Sequence, residues 1–234
     1  MRVVVLGSAA GGGFPQWNCG CEQCRMARAG DPRVAPRTQD SVAFSADGER
    51  WYVINASPDI LQQIKERKEL HPRGPRHTPI AGIFLTNGDM DHVLGLFSLR
   101  ESMPLTVYAT APVRAGLEQS VLLRTLQRFD GQLTWRALVP GESIELEPGL
   151  RVSPFAAQGK LPVHMERFTE PTPADNVGLW IRHAGKCCVY LSAAATLDGV
   201  VPSLRGVDAL LFDGTFFTED ELIAKGLGKG RARD

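Results

Sequence analysis

Short apolar runs separated by polar loops form the main hydrophobic pattern of this chain. Runs rich in Val, Ile, Leu and aromatic residues predict buried strands, and apolar residues at helical spacing predict helices. The predicted strands are Val3–Leu6, Val42–Ser45, Trp51–Ile54, Ile83–Leu85, Leu105–Tyr108, Leu133–Leu138, Ser143–Leu146, Arg151–Phe155, Asn176–Ile181, Cys187–Leu191 and Val207–Phe212. The predicted helices are Ile60–Lys65, Val93–Glu101 and Ala111–Arg128. Strands that lead into helices in this way are typical of α/β proteins.

The strand Ile83–Leu85 is followed by a loop that is dense in polar side chains. Asn87, Asp89, Asp91 and His92 lie between this strand and the next helix. Proteins of the α/β class place sites at the carboxyl ends of strands, and carboxylate and imidazole groups bind divalent metal ions. The loop therefore predicts a metal site. The alternative for a single aspartate is helix capping by Asp89 or Asp91.

Two further strands end on a carboxylate. Val207–Phe212 is followed by Asp213 and a glycine, which makes Asp213 a second predicted anchor for the metal. The alternative is that Asp213 forms a turn before the glycine. Asp59 follows Trp51–Ile54 in the same way, and it either contributes to the site or caps the next helix.

Three cysteines lie close together in the loop at residues 17–25. Cys21 and Cys24 have the Cys-x-x-Cys spacing of zinc-chelating turns, and Cys19 can add a third sulfur. A structural zinc site needs four ligands, so a distant His, Asp or Cys would complete it. The alternative is three reduced thiols without a metal. We favour zinc, because a loop with few apolar residues cannot order itself by burial and a metal crosslink can order it.

The composition of the chain disfavours several classes of function. The 234-residue chain carries 26 basic and 26 acidic residues, so no overall charge attracts nucleic acid. No apolar run approaches the roughly 20 residues of a membrane helix, and Val3–Leu6 is too short for a signal peptide. Cys187 and Cys188 lie in an apolar strand, so the cysteines do not resemble a secreted disulfide framework. These features predict a cytoplasmic protein with no membrane insertion and no nucleic-acid partner.

Several motifs resemble one known family. The block GSAAGGGFPQWNC at residues 7–19, with Cys21 and Cys24 after it, is similar to the start of the coenzyme PQQ synthesis protein B (PqqB) family of the metallo-β-lactamase superfamily. The other segments that fit this family are residues 55–59, 91–92, 99–101, 175–179 and 213–215. The resemblance extends over nearly the whole chain.

The resemblance implies an α/β fold of the metallo-β-lactamase type, a four-layer αβ/βα sandwich, in a single domain over residues 1–234. It implies a role in making pyrroloquinoline quinone (PQQ) from a ribosomal precursor peptide, together with other PQQ-biosynthesis proteins. The family is described as a carrier of PQQ or its precursor toward the periplasm. It is also described as an iron-dependent hydroxylase of the tyrosine ring in the crosslinked precursor. Cys19, Cys21 and Cys24 fall on the family's zinc-binding cysteines.

The chain departs from the hydrolases of this superfamily at the first metal loop. Those enzymes carry His-x-His-x-Asp-His, where this chain has Asn87-x-Asp89-x-Asp91-His92. Without the two leading histidines, the site lacks nitrogen ligands that hold zinc and lower the pKa of its water. A carboxylate-rich site suits Fe(II) better. The family's later Gly-His and His-Ile-Asn-Asn segments are absent, so we expect missing C-terminal elements. The tail from about residue 223 is rich in Gly, Lys and Arg with few apolar residues, and we expect it to be poorly ordered.

Our leading hypothesis is an iron-dependent hydroxylase of a tyrosine-derived PQQ precursor. Asp91 and His92 hold Fe²⁺ in this hypothesis, Asp213 assists them, and Asp89 is a further ligand or a base. The alternative is a non-catalytic protein that binds or carries PQQ or its precursor toward the periplasm, with structural Zn²⁺ only at the three cysteines. A third hypothesis, a generic hydrolase of the fold, is disfavoured by Asn87 and Asp89.

Overall fold

A computed structural model describes residues 1–162, 164, 170–194, 200–212, 214, 218–226, 228–229 and 231. The chain divides into two compact units, Met1–Leu138 (unit 1) and Val139–Asp234 (unit 2). The expectation of a single domain over the whole chain stays a prediction. Among the described residues, no helix is long and apolar enough to cross a membrane.

Unit 1 is built on a six-stranded sheet with the order β1-β2-β3-β4-β5-β6. Its strands are β1 (Arg2–Gly7), β2 (Ser41–Ser45), β3 (Trp51–Ile54), β4 (Ile80–Phe84), β5 (Leu105–Ala109) and β6 (Leu133–Ala137). The strands from β1 to β3 pair antiparallel, and those from β3 to β6 pair parallel. This topology brings the carboxyl ends of β1, β3 and β4 and the start of β2 to one edge of the sheet.

The helices of unit 1 begin and end partly where the sequence predicts. They are α1 (Glu22–Arg28), α2 (Ile60–Glu66), α3 (Met90–Val93) and α4 (Ala111–Glu118), with 3₁₀ segments at Lys68–Leu70, Leu94–Ser98 and Val121–Leu126. The helix predicted at Val93–Glu101 instead starts at Met90 and becomes a 3₁₀ helix after Val93. The helix predicted at Ala111–Arg128 is interrupted at Ser120, whose hydroxyl accepts a hydrogen bond from the amide of Leu122.

The core of unit 1 lies between the sheet and these helices. Val53, Ile83 and Val107 from the strands pack with Ile60 and Leu96 from the helical segments, and all five are fully buried. β2 and β3 are buried along their whole length, which explains the continuous apolar runs at Val42–Phe44 and Trp51–Ile54. Burial of this kind is the main stabilising contribution to the fold.

Unit 2 is built on a five-stranded sheet with the order β11-β10-β9-β8-β7. Its strands are β7 (Ile144–Glu147), β8 (Leu150–Ala156), β9 (Val177–His183), β10 (Lys186–Leu191) and β11 (Ala209–Phe212). All pairs are antiparallel except β10 with β11. Cys188 is buried in β10, as predicted, and burial raises the pKa of its thiol to about 11. Helix α5 (Glu221–Ala224) covers the first residues of the predicted tail.

Candidate functional site

Loops gather at the edge of unit 1 where β1, β3 and β4 end. The glycine-rich loop after β1 is joined to the segment before β2, because Ala9 accepts a hydrogen bond from the amide of Asp40 at 2.9 Å. The loop after β3 is joined to the end of β4 by Asn55, whose amide donates to the carbonyl of Phe84 at 2.8 Å. The antiparallel and parallel pairings of the sheet therefore bring segments that are distant in sequence to one place.

Asn55 fixes the loop that carries His92. Its backbone has a positive φ of 58°, a conformation that asparagine tolerates better than most residues. Its Oδ1 accepts hydrogen bonds from the amide and the hydroxyl of Thr86, at 3.1 and 3.0 Å. The next amide, of Ala56, donates to the carbonyl of His92 at 2.7 Å. The sequence suggested no such role for Asn55, because the positive φ appears only in the folded backbone.

His92 is buried, and hydrogen bonds define its orientation. Its Nδ1 lies 2.7 Å from Oδ1 of Asn87, and the same oxygen accepts a hydrogen bond from the amide of Asp89 at 3.0 Å. The Asn87 amide nitrogen in turn donates to Asp89 Oδ2 at 2.9 Å, which assigns the amide orientation. Because Asn87 Oδ1 is an acceptor, Nδ1 of His92 carries a proton and donates it. In a neutral ring, Nε2 is then the nitrogen with the lone pair.

Asp40 is the carboxylate that faces this second nitrogen. Its Oδ2 lies 3.7 Å from Nε2 of His92. The side chain of Asp40 is 22% exposed and that of His92 is 5% exposed. Sequence reasoning missed Asp40. A signal was available, because the connection between the predicted strands Val42–Ser45 and Trp51–Ile54 is short. Such a connection favours a hairpin, which places the start of β2 beside the end of β3.

Asp91 lies against the glycine-rich loop. Its Oδ2 is 3.5 Å from the position that a Cβ on Gly11 would occupy. Asp89 is the residue that precedes α3, although its side chain makes no capping hydrogen bond. Asp91 lies inside α3 and not at its cap position. Helix capping therefore explains neither Asp89 nor Asp91. Asp213 lies outside the described residues.

Asp89, Asp91 and His92 are the predicted active-site residues that the structure describes, and they do not bring three ligand atoms together. Among the residues that the structure describes, only Cys19, Cys21 and Cys24 place three such atoms within 4.8 Å of one another. Asp91 and His92 lie at the same edge of the sheet. Neither Asp89 nor Asp40 forms with them a group of three ligand atoms within 4.8 Å of one another. Their role as metal ligands stays a prediction.

Asp59 connects the loop after β3 to the segment before β2. Its Oδ2 accepts hydrogen bonds from the amide and the side-chain nitrogen of Gln39, at 2.9 and 3.1 Å. The Gln39 side-chain oxygen accepts from the amide of Gly12 at 3.1 Å. Asp59, Gln39 and Gly12 also line an open polar cavity of about 560 Å³. Asp59 thus supports the position of the glycine-rich loop.

The three cysteines predicted to bind zinc meet in space. Cys24 belongs to α1, Cys21 directly precedes that helix, and Cys19 lies on the loop before it. Cys24 is buried, and the other two are partly exposed. A tetrahedral zinc ion binds sulfur at about 2.3 Å, which sets neighbouring sulfurs about 3.8 Å apart. The spread of the three sulfur atoms, within 4.8 Å of one another, fits such an ion with three of its four ligands.

Local contacts hold this loop in place. Arg28 donates to the carbonyls of Cys19, at 2.6 Å, and Gln16, and Arg25 donates to Gly20 at 2.6 Å. The backbone amide of Cys24 is the main group that lowers the pKa of the Cys21 thiol. Burial raises the pKa of the Cys24 thiol. All five cysteines of the chain are free thiols.

Comparison with known proteins places the chain in a family. The Beta-lactamase superfamily domain matches residues 50–232. Coenzyme PQQ synthesis protein B of Methylorubrum extorquens strain PA1 is 45% identical over 234 residues, covering 97% of this chain and 77% of that protein. The protein of the same name from Methylobacterium nodulans is 47% identical with the same coverage.

Solved structures agree with this placement. The crystal structure of Zn(2+)-bound PqqB from Methylobacterium extorquens has a TM-score of 0.92 and 44% identity, covering 99% of this chain and 78% of that one. A diphosphatase from the PhnP family, 24% identical, has a TM-score of 0.61 over 89% of this chain and 71% of that one, and it shows the fold alone. The predicted metallo-β-lactamase fold is thereby confirmed. The chain belongs to the coenzyme PQQ synthesis protein B family of the metallo-β-lactamase superfamily.

Proposed function

We propose that this chain acts in the synthesis of PQQ as an iron-dependent hydroxylase of a tyrosine-derived precursor. The observation that carries the proposal is the orientation of the His92 ring. Its Nδ1 is hydrogen-bonded to Asn87, and its Nε2 faces the carboxylate of Asp40. Metal-binding histidines commonly donate their other ring N–H to an oxygen acceptor in this way. The names of the relatives support the pathway.

The donor set suits iron better than it suits hydrolytic zinc. Imidazole and carboxylate groups with open positions are typical of non-haem Fe(II) sites. In the proposal His92 and Asp91 hold the metal, Asp213 assists, and Asp89 is a further ligand or a base. When bound, Fe²⁺ supplies the activation of O₂ for hydroxylation of an aromatic ring.

The chain's own residues position this chemistry. Asn87 keeps His92 in a single tautomer and orients the carboxylate of Asp89. Hydrolysis is disfavoured because Asn87 and Asp89 replace the two leading histidines of the hydrolases and bond to each other. In the net reaction one oxygen atom of O₂ enters the ring as hydroxyl and the other leaves as water. Two electrons would come from an added reductant, and two protons would come from the solvent.

We infer further that Cys19, Cys21 and Cys24 bind a structural Zn²⁺. The close approach of the three sulfur atoms supports this inference, as does the zinc in the similar crystal structure. The zinc ion would link the loop before α1, through Cys19 and Cys21, to the buried Cys24 of that helix. It has no part in the proposed hydroxylation.

In this proposal the protein works in the cytoplasm together with other PQQ-biosynthesis proteins. Its substrate is the PQQ precursor peptide or an intermediate derived from that peptide. None of the five cysteines forms a disulfide, which supports a reducing compartment. Fractionation of cells that produce the tagged protein would test the location. Recovery of the protein from the periplasm would contradict it and would favour a carrier.

The test of the reaction is anaerobic reconstitution with Fe(II), followed by ¹⁸O₂, ascorbate and a crosslinked tyrosine-type substrate. We expect a product with one ¹⁸O atom, detected by mass spectrometry. Asp91→Ala and His92→Ala should lower its formation at least tenfold. The control is Asp130→Ala, which removes an exposed carboxylate and should leave the yield unchanged.

Two outcomes would contradict the proposal. Undiminished product formation by both Asp91→Ala and His92→Ala would exclude their role in holding the metal. Tight binding of PQQ without turnover in the Fe(II)-loaded protein would instead favour the non-catalytic carrier.

A further inference from the structure

Asp40 and His92 approach each other at an unusual separation. Oδ2 of Asp40 lies 3.7 Å from Nε2 of His92. A direct N–H···O hydrogen bond has a length of about 2.7–3.2 Å, so the pair is not in hydrogen-bond contact. A water that bridges two groups in tetrahedral geometry would place them about 4.5 Å apart, which is too long.

The separation lies close to that of two ligands of one metal ion. With bonds of about 2.1 Å to nitrogen and oxygen, two ligand atoms lie about 3.0 Å apart at an angle of about 90°, about 3.4 Å apart at the tetrahedral angle and about 3.6 Å apart at about 120°. The observed 3.7 Å is slightly longer than these distances. A small movement of either side chain would therefore bring both groups onto one cation.

The ring of His92 and the backbone of Asp40 are held in place by contacts that do not depend on a metal. Nδ1 of His92 donates to Asn87, which leaves Nε2 as the lone-pair nitrogen of the neutral ring. Asp40 is held through its amide, which donates to Ala9 at 2.9 Å, and Ala9 also forms a β-bridge with Gln39. Preorganised donors of this kind are a requirement of a specific metal site.

We propose that Asp40 is a carboxylate ligand of the ion that His92 binds through Nε2. The inference rests on the metal site of the proposed function, and it adds a ligand from the segment before β2. The ion is a divalent first-row metal such as Fe(II) or Co(II), because one imidazole and one carboxylate suit these ions. Asp40 and His92 form the preformed part of the site, and Asp91 completes it from the glycine-rich side.

The test measures metal binding in place of turnover. Protein whose cysteine site is filled with zinc is titrated anaerobically with Co(II), and binding is followed by calorimetry. We expect Asp40→Asn to raise the Kd for Co(II) at least tenfold, as His92→Ala does. Asp40→Glu keeps a carboxylate and should retain part of the affinity. Asp130→Asn is the charge-matched control and should bind Co(II) as the wild type does.

A second measurement separates ligand loss from misfolding. The urea midpoint and the zinc content of Asp40→Asn should equal those of the wild type. If Asp40→Asn binds Co(II) with wild-type affinity while His92→Ala loses it, Asp40 is not a ligand and the proposed function still stands. If His92→Ala also binds normally, the metal site itself is wrong and both proposals fail.

Discussion

Asn87 links the buried imidazole of His92 to the carboxylate of Asp89 through one side-chain amide. Its oxygen accepts two hydrogen bonds and its nitrogen donates one, and the residue is 1% exposed. A buried polar group that loses its partner costs about 1–3 kcal/mol of stability. At the scale of single residues, the orientation of His92 therefore depends on a side chain that is not itself an expected ligand.

Replacement of Asn87 tests this dependence. We expect Asn87→Ala to lower the free energy of unfolding by about 1–3 kcal/mol, because His92 Nδ1 and the amide of Asp89 lose their acceptor. The measurement is urea unfolding followed by circular dichroism. Asn18→Ala, the same change at an exposed asparagine, is the control. Equal unfolding midpoints for Asn87→Ala and the wild type would show that the network is not stabilising.

At the scale of elements, the loop before α1 lacks the apolar burial that orders the strands. Trp17 is 82% exposed, and the loop is held by arginine contacts to carbonyl oxygens. A metal bound by Cys19, Cys21 and Cys24 would replace burial as the source of order.

Removal of zinc should therefore loosen this loop and little else. We expect a chelator to speed hydrogen exchange of the amides at residues 16–28 and to leave β2 and β3 protected. The readout is exchange measured by mass spectrometry before and after chelation.

The matched pair of variants is Cys24→Ser and Cys188→Ser, since both cysteines are buried. Only the first should lower the zinc affinity, by at least tenfold. Normal zinc content in Cys24→Ser would argue against the cysteine site.

The contact between the loop after β3 and the segment after α3 depends on Gly95. A Cβ at this position would lie 2.0 Å from the carbonyl oxygen of Ser57 and 2.7 Å from that of Ala56. The Gly95 amide donates to Ala56 at 2.8 Å. The loops that carry Asn55 and His92 can approach each other only if this residue has no side chain.

Gly95→Ala should accordingly destabilise the protein by about 1–3 kcal/mol or more, because backbone must move to admit the methyl group. Chemical denaturation provides the measurement. Gly74→Ala is the control, since nothing lies within 4 Å of a Cβ there, and it should change stability by less than about 0.5 kcal/mol. A tolerated Gly95→Ala with unchanged stability would mean that the two loops are not in such close contact.

At the scale of the whole molecule, the charges balance. The chain has 26 basic and 26 acidic residues. A protein without an excess of positive charge lacks the long-range attraction that drives binding to nucleic acids.

We therefore expect no retention on heparin and no binding to labelled duplex DNA at about 0.15 M salt. Fluorescence anisotropy with a basic protein as positive control provides the measurement. Salt-dependent binding in the micromolar range would contradict the expectation.

The strands and the cysteine cluster could be predicted from the sequence, because both depend on residues that are close together along the chain. β3 was predicted with its observed bounds, and the Cys-x-x-Cys turn needs only local backbone to bring two sulfurs together. The helix after His92 was predicted less well, since the contact of Gly95 with the loop after β3 shortens it to a single turn.

The sequence by itself determined the alternation of strands and helices, the polar loop with Asp91 and His92, and the three neighbouring thiols. These are properties of side-chain type and local spacing. Only the tertiary structure decided that Asp40 faces His92, that Asn87 fixes the imidazole, and that Asp59 supports the glycine-rich loop. The reason is that sheet pairing brings the start of β2 beside the ends of β3 and β4, and this proximity has no counterpart along the chain.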